Sequence, residues 1–314
     1  MKYISAKSLS GALGELESGG SYIIAGGTDI LRLKSSGIKI DTIVDIANIP
    51  ETGGIENQKG GLKIGATVLL REVIESQLIR EQYPILKEAA EAVASPQVRN
   101  MGTIGGNLLQ EVQCWYYRNE RFDCIRKGGK VCYALRGEHR WYHSVYKPSP
   151  CVATWTSDIS PALASLKASA RIIGPKGERT TQVEDLYLRK PPWKGVERNE
   201  ILKEIKIPKS SLRGKFMKQG LWGPPYFPIV NVAATVEMKD GICDEARIFL
   251  GGVSPTLYKA TKTEESLKGK PLNKNIIKHA SGLIIDEAKP LRNNSFKAQI
   301  SKVLVERVLS SIEL

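Results

Sequence analysis

No window of this chain approaches the roughly 18 to 20 continuous apolar residues that a membrane-spanning helix needs. The opening residues, MKYISAKSLSGAL, lack a sustained apolar stretch followed by a small-residue cleavage site. A membrane span is therefore not expected, and the setting is read as cytoplasmic. Acidic residues are few: 33 Asp and Glu stand against 46 Lys and Arg, a formal charge of +13. Such an excess suits an acidic partner or a solvated basic surface. No helix-turn-helix, zinc-finger or RNA-binding signature accompanies it, so nucleic acid is not expected. There is no GxGxxG fingerprint and no Walker A loop, so nothing points directly to NAD or ATP. CxxC pairs are absent, and five cysteines in a reducing compartment argue against a disulfide framework. Internal repeats and low-complexity segments are missing too.

What is present is regular structure in a clear order. At 314 residues the chain can hold two or three domains. SLSGALGELES has helical spacing, with Ser8 or Ser10 as N-cap. SYIIAGG is a short apolar strand ending in two glycines, TDILRLKSSG resumes a helical pattern, and DTIVDIANI reads as a second buried strand. GGLKIGATVLLREVIES predicts a strand entering a capped helix, and PILKEAAEAVAS a further helix. This rhythm predicts α/β organisation, in subdomains over residues 1–58 and 59–209. SDISPALASLKASARIIGPKGERTTQVEDLY predicts a helix and two strands joined at PKGE, and EILKEIKIP a strand closed by Pro208. Over 210–314, antiparallel strands with a hairpin at Lys239-Asp240-Gly241 precede three helical patterns, the mark of an α+β domain.

Residues from about 111 to 151 show neither period. Roughly forty residues without regular structure inside a compact domain need an organising element. Cys114, Cys124, Cys132 and Cys151 lie here, separated by nine, seven and eighteen residues. Four thiolates suit zinc or an iron–sulfur cluster, and the missing CxxC pairs weaken zinc without removing it. Trp115, Tyr116, Tyr117, Phe122, Tyr133, Trp141, Tyr142 and Tyr146 read as an aromatic shell around such a centre, or a small local core. His139 and His143 are spaced to share a helical face, but read as surface or satisfied histidines rather than ligands. Arg118, Arg121, Arg126, Lys127, Lys130, Arg136 and Arg140 make the segment basic, a landing point for an acidic ferredoxin-like carrier. Cys243, far away, reads as a small core residue.

Two glycine turns stand out, Ala25-Gly26-Gly27-Thr28-Asp29 and Thr103-Ile104-Gly105-Gly106-Asn107. Without Cβ atoms the backbone can approach a ligand, and successive N–H groups cradle an anion such as pyrophosphate; each also fits an ordinary tight turn. The ordered set AGGTDIL, SPQVRNMGTIGGNL, SDISPALASL, EILKEIKIP, FMKQ and ARIFLGGVSP resembles the FAD-binding subunit of the xanthine dehydrogenase and carbon monoxide dehydrogenase family. The likeness spans nearly the whole chain apart from the cysteine segment. It implies an α+β protein: a vanillyl-alcohol-oxidase-type FAD-binding fold in two α/β subdomains, plus a C-terminal α+β domain of antiparallel sheet and helices. It implies FAD, its pyrophosphate held by Ala25, Gly26, Gly27, Thr28, Asp29 and Ile30 and by Thr103, Gly105, Gly106 and Asn107. By the same resemblance Asp158 hydrogen-bonds the cofactor, Leu202 packs on it, and Lys218 stands beside the isoalloxazine ring, where a cation stabilises charge on reduced flavin. Just beyond Lys218 the chain departs from the family: QGLWGPPYFPI stands where an Arg and Asp-Ile-Ala are common, which bears on whether nicotinamide reacts there.

The segment from Cys114 to Cys151 is similar to an insertion in the flavin subunit of 4-hydroxybenzoyl-CoA reductase and of certain molybdenum aldehyde oxidoreductases. That implies a [4Fe-4S] cluster on Cys114, Cys124, Cys132 and Cys151. The implied function is electron transfer within a molybdenum-containing oxidoreductase, beside a large molybdenum-cofactor subunit and a small [2Fe-2S] subunit. Two reactions fit: reductive dehydroxylation of an aromatic acyl-CoA, or oxidative hydroxylation of an aldehyde or N-heterocycle, with substrate bound on another chain. A self-contained FAD oxidoreductase would need a base near the flavin, and no candidate stands out. A binding module that had lost FAD would have no use for both glycine turns, Asp158 and Lys218.

Overall fold

Ile43 and Val44 are buried at the centre of a three-stranded parallel sheet. Its strands are β1 (Lys2–Ser5), β2 (Ser21–Ile24) and β3 (Thr42–Asp45), in the order β1-β3-β2. The computed structural model describes every residue except 18, 19, 34, 35, 147, 224 and 314. Helix α1 (Leu9–Leu16) starts where Ser8 Oγ accepts from the Gly11 N–H at 3.2 Å, and it buries Leu9, Ala12 and Leu16. Strand β1 is absent from the sequence reading because it is a largely exposed edge, with Tyr3 turned to solvent. Helix α2 (Ile30–Leu33) is a single turn; the rest of its expected pattern runs into residues 34 and 35, outside the described ones.

The second sheet departs from the expected α/β plan. Strands β4 (Ile55–Gln58), β5 (Gly61–Gly65), β6 (Ser169–Gly174), β7 (Gly177–Gln182) and β8 (Ile201–Pro208) lie in the order β4-β5-β8-β6-β7, every pair antiparallel. Two tight hairpins fix the direction of the β4–β5 and β6–β7 pairs, because a short loop returns the chain antiparallel, and β8, reached by a longer connection, runs antiparallel to both β5 and β6. The sheet therefore begins at Ile55. Helices α3 (Leu70–Glu75), α4 (Gln77–Gln82), α5 (Pro84–Glu91), α6 (Pro96–Arg99), α7 (Ile104–Leu108) and α8 (Ile159–Ser165) belong to this unit. At α3 the Glu72 carboxylate reaches back to the Leu69 N–H at 2.7 Å, capping the helix.

The C-terminal unit matches its sequence expectation. Strands β9 (Arg213–Gly220), β10 (Pro228–Lys239), β11 (Ile242–Gly251) and β12 (Tyr258–Lys259) form an antiparallel sheet, ordered β12-β11-β10-β9. Asp240 and Gly241, with φ of +52° and +78°, make the two-residue β10–β11 turn that matches strand twist. Helices α9 (Thr261–Leu267), α10 (Lys274–Asp286) and α11 (Phe296–Ser310) follow in sequence, and α9 and α11 pack on the sheet. Helices α5 and α8 from the middle unit also pack against it, so β10 is buried along most of its length.

Among the described residues, the stretch 111–151 forms no α-helix and no strand beyond isolated bridges, only two 3-10 turns at Ile125–Lys127 and Tyr133–Leu135. Tertiary bonds hold it instead. The Val145 and Tyr146 N–H groups both donate to the Val253 carbonyl (2.9 and 3.1 Å), and Lys289 N–H donates to Val145 O (2.7 Å). His139 and His143 consequently share no helix face, and both are buried.

Candidate functional site: a cavity beside four cysteines

Both glycine turns face one cavity of about 620 Å³. The reason is a backbone-to-backbone contact: a Cβ on Gly26 would collide with the Met101 carbonyl oxygen, so only glycine lets the two turns meet. Gly27 adopts φ +70°, a left-handed conformation open to glycine without strain. The turns are not equivalent. Among the described residues, the N–H groups of Gly26, Gly27 and Thr28 donate to no acceptor. In the second turn Ile104 and Gly105 donate to Val68 O and Ala66 O (both 2.9 Å), Gly106 to Thr103 Oγ1 (3.0 Å) and Asn107 to Thr103 O (2.9 Å). The first turn offers open donors; the second offers a close wall.

Ala25, Gly26, Gly27, Thr28, Asp29, Ile30, Thr103, Gly105, Gly106 and Leu202 all line the cavity. Asn107, Asp158 and Lys218 are not part of that lining. Asn107 Oδ1 accepts from Ser157 Oγ (2.7 Å) and the Ile159 N–H (3.3 Å). Lys218 Nζ donates to Asp158 at 2.8 Å and to the Ala92 carbonyl, and Asn231 donates to the other Asp158 oxygen at 2.9 Å. Burial raises the Asp158 carboxyl above its ordinary value even with Lys218 opposing it.

Sequence reasoning missed a charged wall of the same cavity, formed by Gln110, Glu111, Tyr117, Arg126, Trp193 and Lys194. Lys194 Nζ donates to Glu111 Oε1 and Leu109 O, both at 2.6 Å. Burial pushes the Glu111 carboxyl up, but the Lys194 ammonium and Arg126 guanidinium outweigh it and leave it below its usual value. Arg126 lies over the rings of Tyr117, Trp155 and Trp193, at 5.8, 5.5 and 5.4 Å. Gln110 Nε2 is buried without a partner, a donor with nothing in the protein to bond. Gln110, Trp193 and Lys194 carried no local signal, and Tyr117 and Arg126, read as part of an aromatic shell and a basic docking patch, gave no sign of facing the cavity.

Three of the four clustered cysteines, Cys114, Cys124 and Cys151, are buried in the same apolar core, Cys132 is half-buried, and none is in a disulfide. A hydrogen bond between Cys132 and Cys151 draws the former thiol down to about 7 and pushes the latter up. Burial pushes Cys114 up to about 12. Among the described residues no three His, Cys, Asp or Glu side chains gather as ligands of a single ion. A four-iron cluster takes one thiolate per iron, so its ligands stand further apart than those of one zinc ion. His143 Nε2 lies 3.3 Å from Cys114 Sγ, whereas His139 is satisfied by Ala134 O (2.8 Å) and the Asn293 N–H (3.1 Å). Burial, then the Lys297 ammonium, lower His143 to about 3.

The aromatic residues do not form one shell. Tyr116, Phe122 and Tyr133 cluster together, Tyr117 turns to the cavity, Trp115 is exposed, and Trp141 and Tyr146 pack on Phe296 and Tyr258 of the C-terminal domain. The basic set divides as well. Arg118 and Arg126 turn inward, leaving Arg121, Lys130, Arg136 and Arg140 exposed.

Open backbone donors lining a cavity of this size suit an anionic cofactor such as a dinucleotide. Residues 1–210 match the FAD binding domain in molybdopterin dehydrogenase, and residues 226–312 the CO dehydrogenase flavoprotein C-terminal domain. The chain belongs to this family, the FAD-binding medium subunits of molybdenum-containing oxidoreductases. It is 29% identical over 302 residues to the aldehyde oxidoreductase FAD-binding subunit PaoB of Escherichia coli K12, covering 93% of this chain and 91% of that one. To the carbon monoxide dehydrogenase medium chain of Hydrogenophaga pseudoflava it is 25% identical over 324 residues, covering 99% and 96%. Reconstituted CO dehydrogenase from Oligotropha carboxidovorans shares the fold, with a TM-score of 0.79, 22% identity and coverage of 99% and 97%.

Proposed function

We propose that this chain is the electron-transfer subunit of its complex, with FAD in the 620 Å³ cavity and a [4Fe-4S] cluster on Cys114, Cys124, Cys132 and Cys151. The cysteine segment is read as like the insertion in the flavin subunit of 4-hydroxybenzoyl-CoA reductase, and residues 1–209 as a vanillyl-alcohol-oxidase-type fold. The observation that carries it is shared walls: the segment bearing the cysteines also supplies Tyr117 and Arg126 to the cavity. FAD supplies an exchanger of one or two electrons and the cluster a one-electron site. The Gly26, Gly27 and Thr28 N–H groups would hold the diphosphate, and Arg126 and Lys194 would offset its charge. Asp158 and Lys218 would support the site from behind its lining, and Leu202 would pack on the cofactor.

The partners fitting this reading are a molybdenum-cofactor large subunit and a [2Fe-2S] small subunit, since relatives are named as medium chains and subunits of complexes. Exposed Arg121, Lys130 and Arg136, with exposed Trp115 and Tyr133 in the same segment, suit an acidic ferredoxin-like carrier. Similarity to PaoB favours a second reading, aldehyde oxidation with electrons leaving through this chain. Anaerobic purification of the complex tests the core claim. Flavin bands with a broad iron–sulfur shoulder are expected, and Cys124→Ser should lower iron by about four atoms per copy. Unchanged iron in that variant, or no flavin in the wild type, overturns it.

A further inference from the structure

The Cys114 sulfur meets a side chain from outside the cysteine set: His143 Nε2, 3.3 Å away in fully buried surroundings. The backbone N–H groups of Tyr116 and Tyr117 also face that sulfur. The imidazole is aimed by the C-terminal domain rather than by the cysteine segment itself. Lys297, wholly buried on α11, donates to the His143 carbonyl (2.8 Å), the Trp141 carbonyl (2.8 Å) and the Gly252 carbonyl (2.5 Å). Asn294 Nδ2 donates to the carbonyls of His143 (3.4 Å) and Ser144 (3.1 Å), and His143 forms an antiparallel bridge with Ala153. Three tethers thus fix the backbone from which the ring reaches the sulfur.

A cysteine that ligates iron carries no proton, so at this contact the imidazole must be the donor. An N–H directed at a ligand sulfur stabilises the more negative, reduced form of an iron–sulfur centre. We infer that His143 is a positioning residue that raises the reduction potential of the four-cysteine centre by donating Nε2–H to Cys114 Sγ. This rests on the cluster reading above. His143 itself is not a ligand.

The test uses the anaerobically purified complex, with iron and sulfide measured first; a wild type lacking the extra iron sinks the cluster reading and not this one alone. Redox titration followed by electron paramagnetic resonance then compares the wild type with His143→Leu and His143→Gln. The midpoint potential of this centre should fall in His143→Leu and return toward the wild-type value in His143→Gln, whose amide N–H reaches a similar place. An equal potential in a fully loaded His143→Leu overturns the inference. Pulsed resonance on reduced wild type labelled with 15N-histidine needs no variant: nitrogen coupling to the cluster is expected, and its absence overturns the inference as well.

Discussion

The Arg118 guanidinium donates to the Asp29 carboxylate at 2.7 Å, across 89 positions of sequence. The Glu111 N–H reaches the other Asp29 oxygen at 2.6 Å. Asp29 belongs to the first glycine turn, yet both of its oxygens face the inserted segment, so the carboxylate clamps that segment to the cavity. Asp29→Asn strands a guanidinium whose Nη1 is already buried without a partner. We expect a loss of about 2 kcal/mol in stability, with reduced FAD retention, read by denaturant melts and flavin analysis. Asp29→Asn combined with Arg118→Met should cost less than the two single losses added.

Gly26→Ala should be costly for steric reasons alone. The new methyl must displace the Met101 carbonyl, which separates the two turns; about 1–3 kcal/mol and most bound FAD should be lost. Gly282→Ala is the control. It lies in α10, where an added methyl meets nothing within 4 Å, and should stabilise by about 0.5–1 kcal/mol with FAD content unchanged.

The Asp158–Lys218 pair is buried on both sides, at 5% and 4% side-chain exposure. Asp158→Asn leaves an ammonium in the core without a counter-charge, and a loss of about 3–5 kcal/mol is expected. Asp158→Asn with Lys218→Met should recover most of it, because neither charge then remains to be desolvated. Urea unfolding midpoints decide the matter; a double variant no more stable than Asp158→Asn would show that the pair is not the cause.

Lys297 gives the protein a pH signature. Burial lowers its amine well below the ordinary 10.5. Between that depressed native value and 10.5 the unfolded chain binds the additional proton, so stability rises with pH across the window and is lost as pH falls through the native value. Lys297→Met removes this contribution to the slope, at the expense of three carbonyl hydrogen bonds. Chemical denaturation of both proteins across alkaline pH should show a steeper rise in the wild type; parallel curves would refute the assignment.

Residues whose structure depends on sequence neighbours were legible from the start. Ser8 caps α1, Asp240-Gly241 turns the β10–β11 hairpin, Pro208 ends β8, and the glycine turns reach the cavity. Pairing partners were not legible. Gly61 sits opposite Pro208, and that antiparallel match turned an expected α/β unit into something else. Equally hidden was which glycine turn keeps its N–H groups open, since Val68 and Ala66 supply the acceptors that occupy the other.

The order of elements, the family motifs and the four thiols are all written in the chain itself, because backbone sterics and side-chain chemistry act over a few residues. Folding in three dimensions was needed before Arg126 and Lys194 could charge the cavity wall, Asp158 could take Lys218, and His143 could meet Cys114. Those outcomes depend on burial and charge pairing between segments far apart in the chain, and such proximity exists only once the sheets have closed.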